Sequence, residues 1–209
     1  MQTTKVVKPH RSQRARVNSN RGKTSKRLAL KCMAYDQRFG TVKMITDIYN
    51  RLSTSSGLLP TPVGFIFDRE LRGEHELNEL IRLSNGKIHF IKRRQYENYL
   101  LDIDAILAVI NSLEIFKIQS VAADEIEEWI SDHGQKYVKG EFQQPYLKNI
   151  HWLETVDAAK MLAAMFEKLS EAREVYRKTI HSIALTEWLL ENKPDSLSEI
   201  ADVIRTAIE

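Results

Sequence analysis

Two stretches of this chain carry the side chains best suited to chemistry. Asp68 and Glu70 come directly after the apolar run Pro62–Phe67, and the segment Arg93–Leu101 follows the next apolar run. An apolar run that ends abruptly in acids is typical of a buried strand that carries carboxylates to the carboxyl edge of an α/β sheet, where ligands and metals usually bind. We therefore predict a functional site at this edge.

The same acids also have a structural interpretation. Asp68 and Glu70 could cap the helix predicted after them, because acids stabilise helix N-termini by roughly 0.3 to 1 kcal/mol. Glu97 lies between two tyrosines and could form a structural ion pair with Arg93 or Arg94. The sequence leaves these alternatives open.

The hydrophobic pattern places both stretches in a small α/β unit. Helices of about ten residues separate the apolar runs, which implies parallel strands with right-handed crossovers. Asn85–Gly86 is suited to ending a helix in left-handed geometry. We predict an α/β core at residues 28–120, with strands at 28–34, 62–67 and 87–91 and helices at 42–52, 74–83 and 104–113.

The pattern becomes helical in the C-terminal part of the chain. Helical stretches are predicted near residues 124–132, 155–169, 171–191 and from 197 onward, within a helical subdomain at 121–209. Lys160 and Lys178 lie on amphipathic stretches, where an exposed lysine is the default. A phosphate contact is the functional alternative for both lysines.

Positive charge is concentrated at the N-terminus. Residues 1–35 contain ten Lys or Arg and no acid, and 28 acids against 21 basic residues give the remainder a net charge of −7. A basic tail at residues 1–27 cannot fold alone but could neutralise phosphates of DNA or RNA. A solvated disordered end, a targeting segment and the start of a chain cut from a longer one are the alternatives.

Composition sets the broad class of the protein. The chain has 209 residues, 43% hydrophobic and 28% charged, and no segment approaches the roughly 20 apolar residues of a membrane span. Its single cysteine cannot form an intramolecular disulfide or a cysteine-based zinc site. We expect a cytoplasmic protein without a membrane partner, whose oligomeric state, including a homo-oligomer, the sequence leaves open.

The residues Phe65–Glu70, a helix, and then a strand leading into Arg93–Leu101 resemble the Toprim-like domain of OLD-type (overcoming lysogenization defect) ATPases. The resemblance covers about residues 40–110, and Val156–Lys160 and Lys178–His181 look like the helical remainder of such proteins. The family comprises ATP-dependent endonucleases of bacterial and phage defence. The resemblance implies a small parallel, Rossmann-like sheet and a metal-dependent nuclease acting on DNA.

The resemblance also implies roles for individual residues. Asp68 matches the first acid of the family's Asp-X-Asp motif, and Glu70 occupies the second place as a longer acid. Glu97 matches the acid of the Glu-Asn-Tyr segment, so the three acids would hold Mg²⁺ or Mn²⁺ near the scissile phosphate. Arg93 and Arg94 would offer positive charge to phosphate oxygens.

This chain departs from the family pattern upstream. Toprim domains carry an earlier Glu-Gly at the end of their first strand, whereas no Glu precedes Glu70 here. The chain also contains no Walker motif, so a nuclease of this kind would rely on a separate AAA/ABC-type ATPase. We expect a truncated or partly degenerate nuclease, with a noncatalytic nucleic-acid-binding or assembly module as the alternative.

Overall fold

The computed structural model describes residues 64–117 and 120–208, in which two short strands form a parallel sheet. Strand β1 (Phe65–Phe67) pairs with β2 (Ile88–Phe90), with Phe65 opposite Ile88 and Phe67 opposite Phe90. Helix α1 (Glu74–Leu83) connects the strands. The predicted strand–helix–strand order and its parallel pairing are therefore confirmed. The strand and helix predicted at 28–34 and 42–52, and the basic tail, lie outside the described residues.

Helix α1 packs through one apolar face and is followed by two residues with left-handed backbone conformation. Leu77 and Leu80 are buried, and the chain leaves the helix through Asn85 and Gly86, which have φ values of 55° and 74°. Gly86 suits this region because it has no Cβ. The helix begins at Glu74 after Gly73, so Asp68 and Glu70 do not cap it, and that structural interpretation is wrong.

Six further helices make the described part of the chain mainly helical. They are α2 (Ile103–Ser112), α3 (Ala123–His133), α4 (Ile150–Thr155), α5 (Ala158–Leu169), α6 (Ile183–Asn192) and α7 (Ser198–Ile208). Short 3₁₀ helices span Tyr96–Tyr99, Glu114–Phe116, Gly134–Tyr137, Tyr146–Lys148 and Pro194–Leu197, and a π-helical turn spans Lys178–Ser182. Within the described ranges, no helix has the length and apolar character required to cross a bilayer.

The main hydrophobic core lies among the C-terminal helices. Helix α2 packs against α3 and α6, and the fully buried Trp152 and Phe166 enter the same core from α4 and α5. A smaller cluster, built on Leu80 and Ile88, holds α1 against the sheet. The helical C-terminal part is therefore confirmed, although it shares one core with residues as early as Ile91.

Two predicted helices begin later in the structure than the sequence pattern indicates. The stretch predicted at 155–169 begins only at Ala158, because Asp157 caps α5 by accepting a hydrogen bond from the Lys160 amide at 3.3 Å. The stretch predicted at 171–191 contains no helix before Lys178. Glu171 and Ala172 have positive φ values of 52° and 61°, which end α5 and turn the chain. A single helix over 171–191 is therefore wrong.

Helix α7 packs against both strands, and its residue Ala207 lies close to the backbone of Gly64. A Cβ at Gly64 would lie 2.3 Å from the backbone oxygen of Ala207. We expect Gly64→Ala to lower the free energy of unfolding by about 1–2 kcal/mol, because α7 must shift to relieve the clash. Urea unfolding measures this loss, and Gly73→Ala is the matched control because no atom lies within 4 Å of its added Cβ. Equal losses in the two variants would contradict the prediction.

Candidate acidic site

The two chemically promising stretches meet at the carboxyl edge of the sheet. Asp68 is the first residue after β1, and the chain leaving the parallel strand β2 passes the same edge before it forms the 3₁₀ helix Tyr96–Tyr99. There the Tyr96 amide donates a hydrogen bond to Asp68 Oδ1 at 3.0 Å. The structure therefore brings Asp68 next to the segment that carries Glu97, as the strand order predicts.

Glu97 is a buried carboxylate with only one of its oxygens engaged. The residue is 3% exposed, and its Oε1 lies 3.0 Å from Lys178 Nζ. Its Oε2 is also buried and has no hydrogen-bond partner among residues 64–117 and 120–208. A buried charge normally requires full pairing, so this oxygen is an acceptor site left open within the fold.

Asp68 experiences the negative charge of its neighbours. Burial raises the pKa of Asp68 to about 6 from its ordinary value of 3.8, and the charges of Glu97 and Glu70 add to this rise. The Tyr96 amide and the Lys178 ammonium act in the opposite direction. Asp68, Glu70, Glu97 and Lys178 thus form one electrostatic group in which negative charge predominates.

Glu70 belongs to a series of ion pairs that also includes Arg94, Asp157 and Lys160. Its Oε2 lies 3.8 Å from Arg94 Nε, and its amide donates to the Arg94 carbonyl oxygen at 2.7 Å. Arg94 Nη2 lies 2.9 Å from Asp157 Oδ2, which also lies 3.2 Å from Lys160 Nζ. Arg94 therefore positions Glu70 and is itself fixed by Asp157, whereas the Lys160 side chain remains 78% exposed.

Arg93 lies in a separate set of contacts. Its Nη1 donates to the Asn98 carbonyl oxygen at 2.9 Å, its Nε lies 3.9 Å from Glu199 Oε2, and its guanidinium carbon lies 4.3 Å from the centre of the Tyr99 ring. These contacts link the 3₁₀ helix to α7. The predicted structural ion pair between Glu97 and Arg93 or Arg94 is wrong, because Glu97 pairs with Lys178.

Hydrogen bonds of buried polar side chains fix the segment around Lys178. The Tyr176 hydroxyl and Ser182 Oγ share a hydrogen bond of 2.7 Å, and His181 Nδ1 accepts from the Arg177 amide at 2.8 Å. Burial raises the pKa of Tyr176, and the Glu97 charge contributes to the same rise. These contacts surround the π-helical turn, a feature often found at functional sites. They fix the backbone from which Lys178 reaches Glu97.

Asn98 fixes the backbone next to Glu97. It is fully buried, and its Nδ2 donates to the carbonyl oxygens of Leu153 and Val156 at 2.9 and 2.8 Å. Its Oδ1 accepts from the Gln95 amide at 3.1 Å. One side chain thus ties the 3₁₀ helix to α4 and to the residue that follows it.

The site offers the type of ligand atom that a hard cation prefers, but it offers few of them. Among residues 64–117 and 120–208, no three His, Cys, Asp or Glu side chains are arranged to hold a metal ion. Asp68 and Glu97 nevertheless offer carboxylate oxygens, the ligand type that Mg²⁺ and Mn²⁺ prefer, and Glu97 Oε2 has no partner within the described part of the chain. In donor type these two residues fit a divalent cation, which would take its remaining ligands from water and substrate oxygens.

Two contributors were absent from the sequence-based prediction. Asp157 holds both Arg94 and Lys160, and its position immediately before α5 is a helix N-cap signal that could have identified it. Tyr96 contributes through its backbone amide, which no sequence pattern reveals. Comparisons of the chain with protein-family models, with curated proteins and with solved structures found no match.

Proposed function

We propose that this chain is a metal-dependent DNA phosphodiesterase whose metal site is formed by Asp68 and Glu97, with Glu70 beside them. The observation that carries the proposal is buried negative charge without full compensation. Glu97 is 3% exposed, one of its oxygens has no partner among the residues that the structure describes, and the pKa of Asp68 is raised to about 6. Carboxylates held at such cost to the fold are typical of functional sites rather than of structural ion pairs.

The Toprim resemblance supplies the reaction class for this proposal. Asp68 follows a strand of a parallel sheet and lies next to the segment that carries Glu97, and this arrangement supports that reaction class. The family's dependence on ATP hydrolysis makes a separate AAA/ABC-type ATPase the expected partner in phage defence.

The residues divide the work of phosphodiester cleavage among them. Asp68 and Glu97 would hold Mg²⁺ or Mn²⁺, which supplies charge neutralisation at the phosphate and activation of the attacking water. Arg94, with a side chain only 14% exposed, positions Glu70. Lys160 is 78% exposed and belongs to the same series of ion pairs, so it is available to contact a backbone phosphate.

Cleavage of supercoiled and linear DNA by the purified chain tests the proposal. We expect nicking with Mn²⁺ or Mg²⁺, none with chelator, and none in an Asp68→Ala variant that remains folded by circular dichroism. Asp132→Ala, which removes an exposed acid on α3, should cleave like the wild-type protein. Chelator-resistant cleavage, or equal cleavage by the two variants, would refute the assignment.

A noncatalytic nucleic-acid-binding or assembly module is the second candidate. The ion pair between Lys178 and Glu97 favours it, because an ammonium already compensates one of the acids. Such a module would bind DNA without Mg²⁺ or Mn²⁺, and its affinity would fall steeply with salt. If this candidate is correct, deleting residues 1–27 will abolish DNA binding. The nuclease proposal also requires Asp68 and Glu97, for DNA cleavage.

A further inference from the structure

We propose that Lys178 is a built-in counter-ion that competes with a divalent cation for Glu97, so that metal binding frees its ammonium to contact a substrate phosphate. This inference rests on the proposed function, because it concerns the regulation of the same acidic site. It begins with the ion pair itself, in which Lys178 Nζ lies 3.0 Å from Glu97 Oε1.

The two partners of this pair differ in burial. The Glu97 side chain is 4% exposed, whereas the Lys178 side chain is 41% exposed. Asn98 fixes the backbone next to Glu97, and the Tyr176–Ser182 and His181–Arg177 hydrogen bonds fix the turn that carries Lys178. The flexible lysine side chain is therefore the part that can move.

The balance of charge at the site explains why a divalent cation would displace Lys178 from Glu97. Glu70 pairs with Arg94, which leaves the single positive charge of Lys178 for Asp68 and Glu97. One oxygen of Glu97 has no hydrogen-bond partner in the described ranges in this arrangement. A divalent cation brings two positive charges and accepts several oxygen ligands, so it compensates the pair of acids more completely than an ammonium does.

Once displaced, the ammonium would remain close to the metal. Lys178 would then lie at the solvent side of the site with its charge available for a phosphate oxygen, the point-charge contact typical of lysine. In the absence of metal the same ammonium is held by Glu97. The presence of the metal would thus control whether a phosphate-binding side chain is available.

Calorimetric titration of the full chain with Mn²⁺ tests the competition. We expect Lys178→Met to bind Mn²⁺ at least about tenfold more tightly than the wild-type protein, because a competing positive charge has been removed. Lys178→Gln, which can still hydrogen-bond to Glu97, provides a second neutral variant if the methionine variant does not fold. Lys117→Met is the matched control, because it removes an exposed lysine that is paired with Glu114 instead of a site acid.

The outcomes separate this inference from the proposed function. Asp68-dependent Mn²⁺ binding of equal or weaker affinity in the Lys178 variants would overturn the competition and leave the metal site intact. No Asp68-dependent binding in any protein would overturn both.

DNA binding provides a second readout that a purely structural lysine would not change. With Ca²⁺ in place of Mn²⁺, the salt slope of DNA affinity should fall by about one in the neutral Lys178 variants, as one phosphate contact is lost. Without a divalent ion, wild-type and variant slopes should agree. A slope that is unchanged with Ca²⁺, or already reduced without it, would contradict the release of Lys178 by metal.

Discussion

An Asp68→Asn variant should be more stable than the wild-type protein near neutral pH and yet inactive in DNA cleavage. The pKa of Asp68 is about 6 in the folded protein and 3.8 ordinarily, so ionisation of this side chain opposes folding. Asparagine is neutral, and its side-chain oxygen can still accept the Tyr96 amide hydrogen bond. Because one pKa unit corresponds to about 1.4 kcal/mol, the expected stabilisation at about pH 7 is on the order of 2–3 kcal/mol.

The pH dependence of this stabilisation follows from where the proton is held. Between about pH 4 and pH 6 the folded wild-type protein retains the Asp68 proton while the unfolded chain has lost it. The contribution of Asp68 to stability is therefore fully present below about pH 4 and is lost as the pH rises through about 6.

Urea unfolding of the two proteins at several pH values measures this difference. The advantage of Asp68→Asn should be near zero below about pH 4 and should reach its plateau above about pH 6. Asp132→Asn controls for the general loss of an acid and should show no such profile. A variant less stable than the wild-type protein at neutral pH would mean that Asp68 is a structural acid.

Asn98→Ala should cause a large loss of stability. The substitution leaves the carbonyl oxygens of Leu153 and Val156 and the amide of Gln95 without the partners that Asn98 provides. Each buried unsatisfied group costs about 1–3 kcal/mol, and some relaxation is expected, so the total loss should be about 3–5 kcal/mol. Thermal and urea unfolding would both report it.

An exposed asparagine provides the control for Asn98. Asn192 donates one hydrogen bond to the Trp188 carbonyl oxygen, so Asn192→Ala should change the free energy of unfolding by about 0.5 kcal/mol or less. Asn98→Ala should also loosen the backbone next to Glu97. A loss at Asn98 no larger than the loss at Asn192 would show that this side chain does not organise the site.

Local signals made parts of the fold predictable. The apolar spacing of Leu77 and Leu80 and the left-handed pair Asn85–Gly86 correctly predicted helix α1 and its end. The helix predicted at 171–191 failed for a different reason. Its N-terminal part contains Glu171 and Ala172 at positive φ, and local hydrogen bonds of Tyr176 with Ser182 and of His181 with Arg177 stabilise a π-helical turn that no periodicity reveals.

The candidate site was predictable only in outline. Acids after an apolar run placed Asp68 at the sheet edge, and the order of the strands brought the Glu97 segment to it. The partners of the acids were not predictable, because Lys178 reaches Glu97 from a segment distant in sequence, and Asp157 likewise holds Arg94. Such pairings depend on how the C-terminal helices pack, which the local sequence does not encode.

The most direct test of a shared metal site is Mn²⁺ binding by electron paramagnetic resonance in wild-type protein, Asp68→Asn and Glu97→Gln. If the two acids hold one cation, the wild-type protein will bind Mn²⁺, and either substitution alone will weaken that binding by at least about tenfold. Asp132→Asn should bind like the wild-type protein. Wild-type Mn²⁺ binding that persists unchanged in both site variants, or no binding by the wild-type protein, would contradict the metal-dependent function.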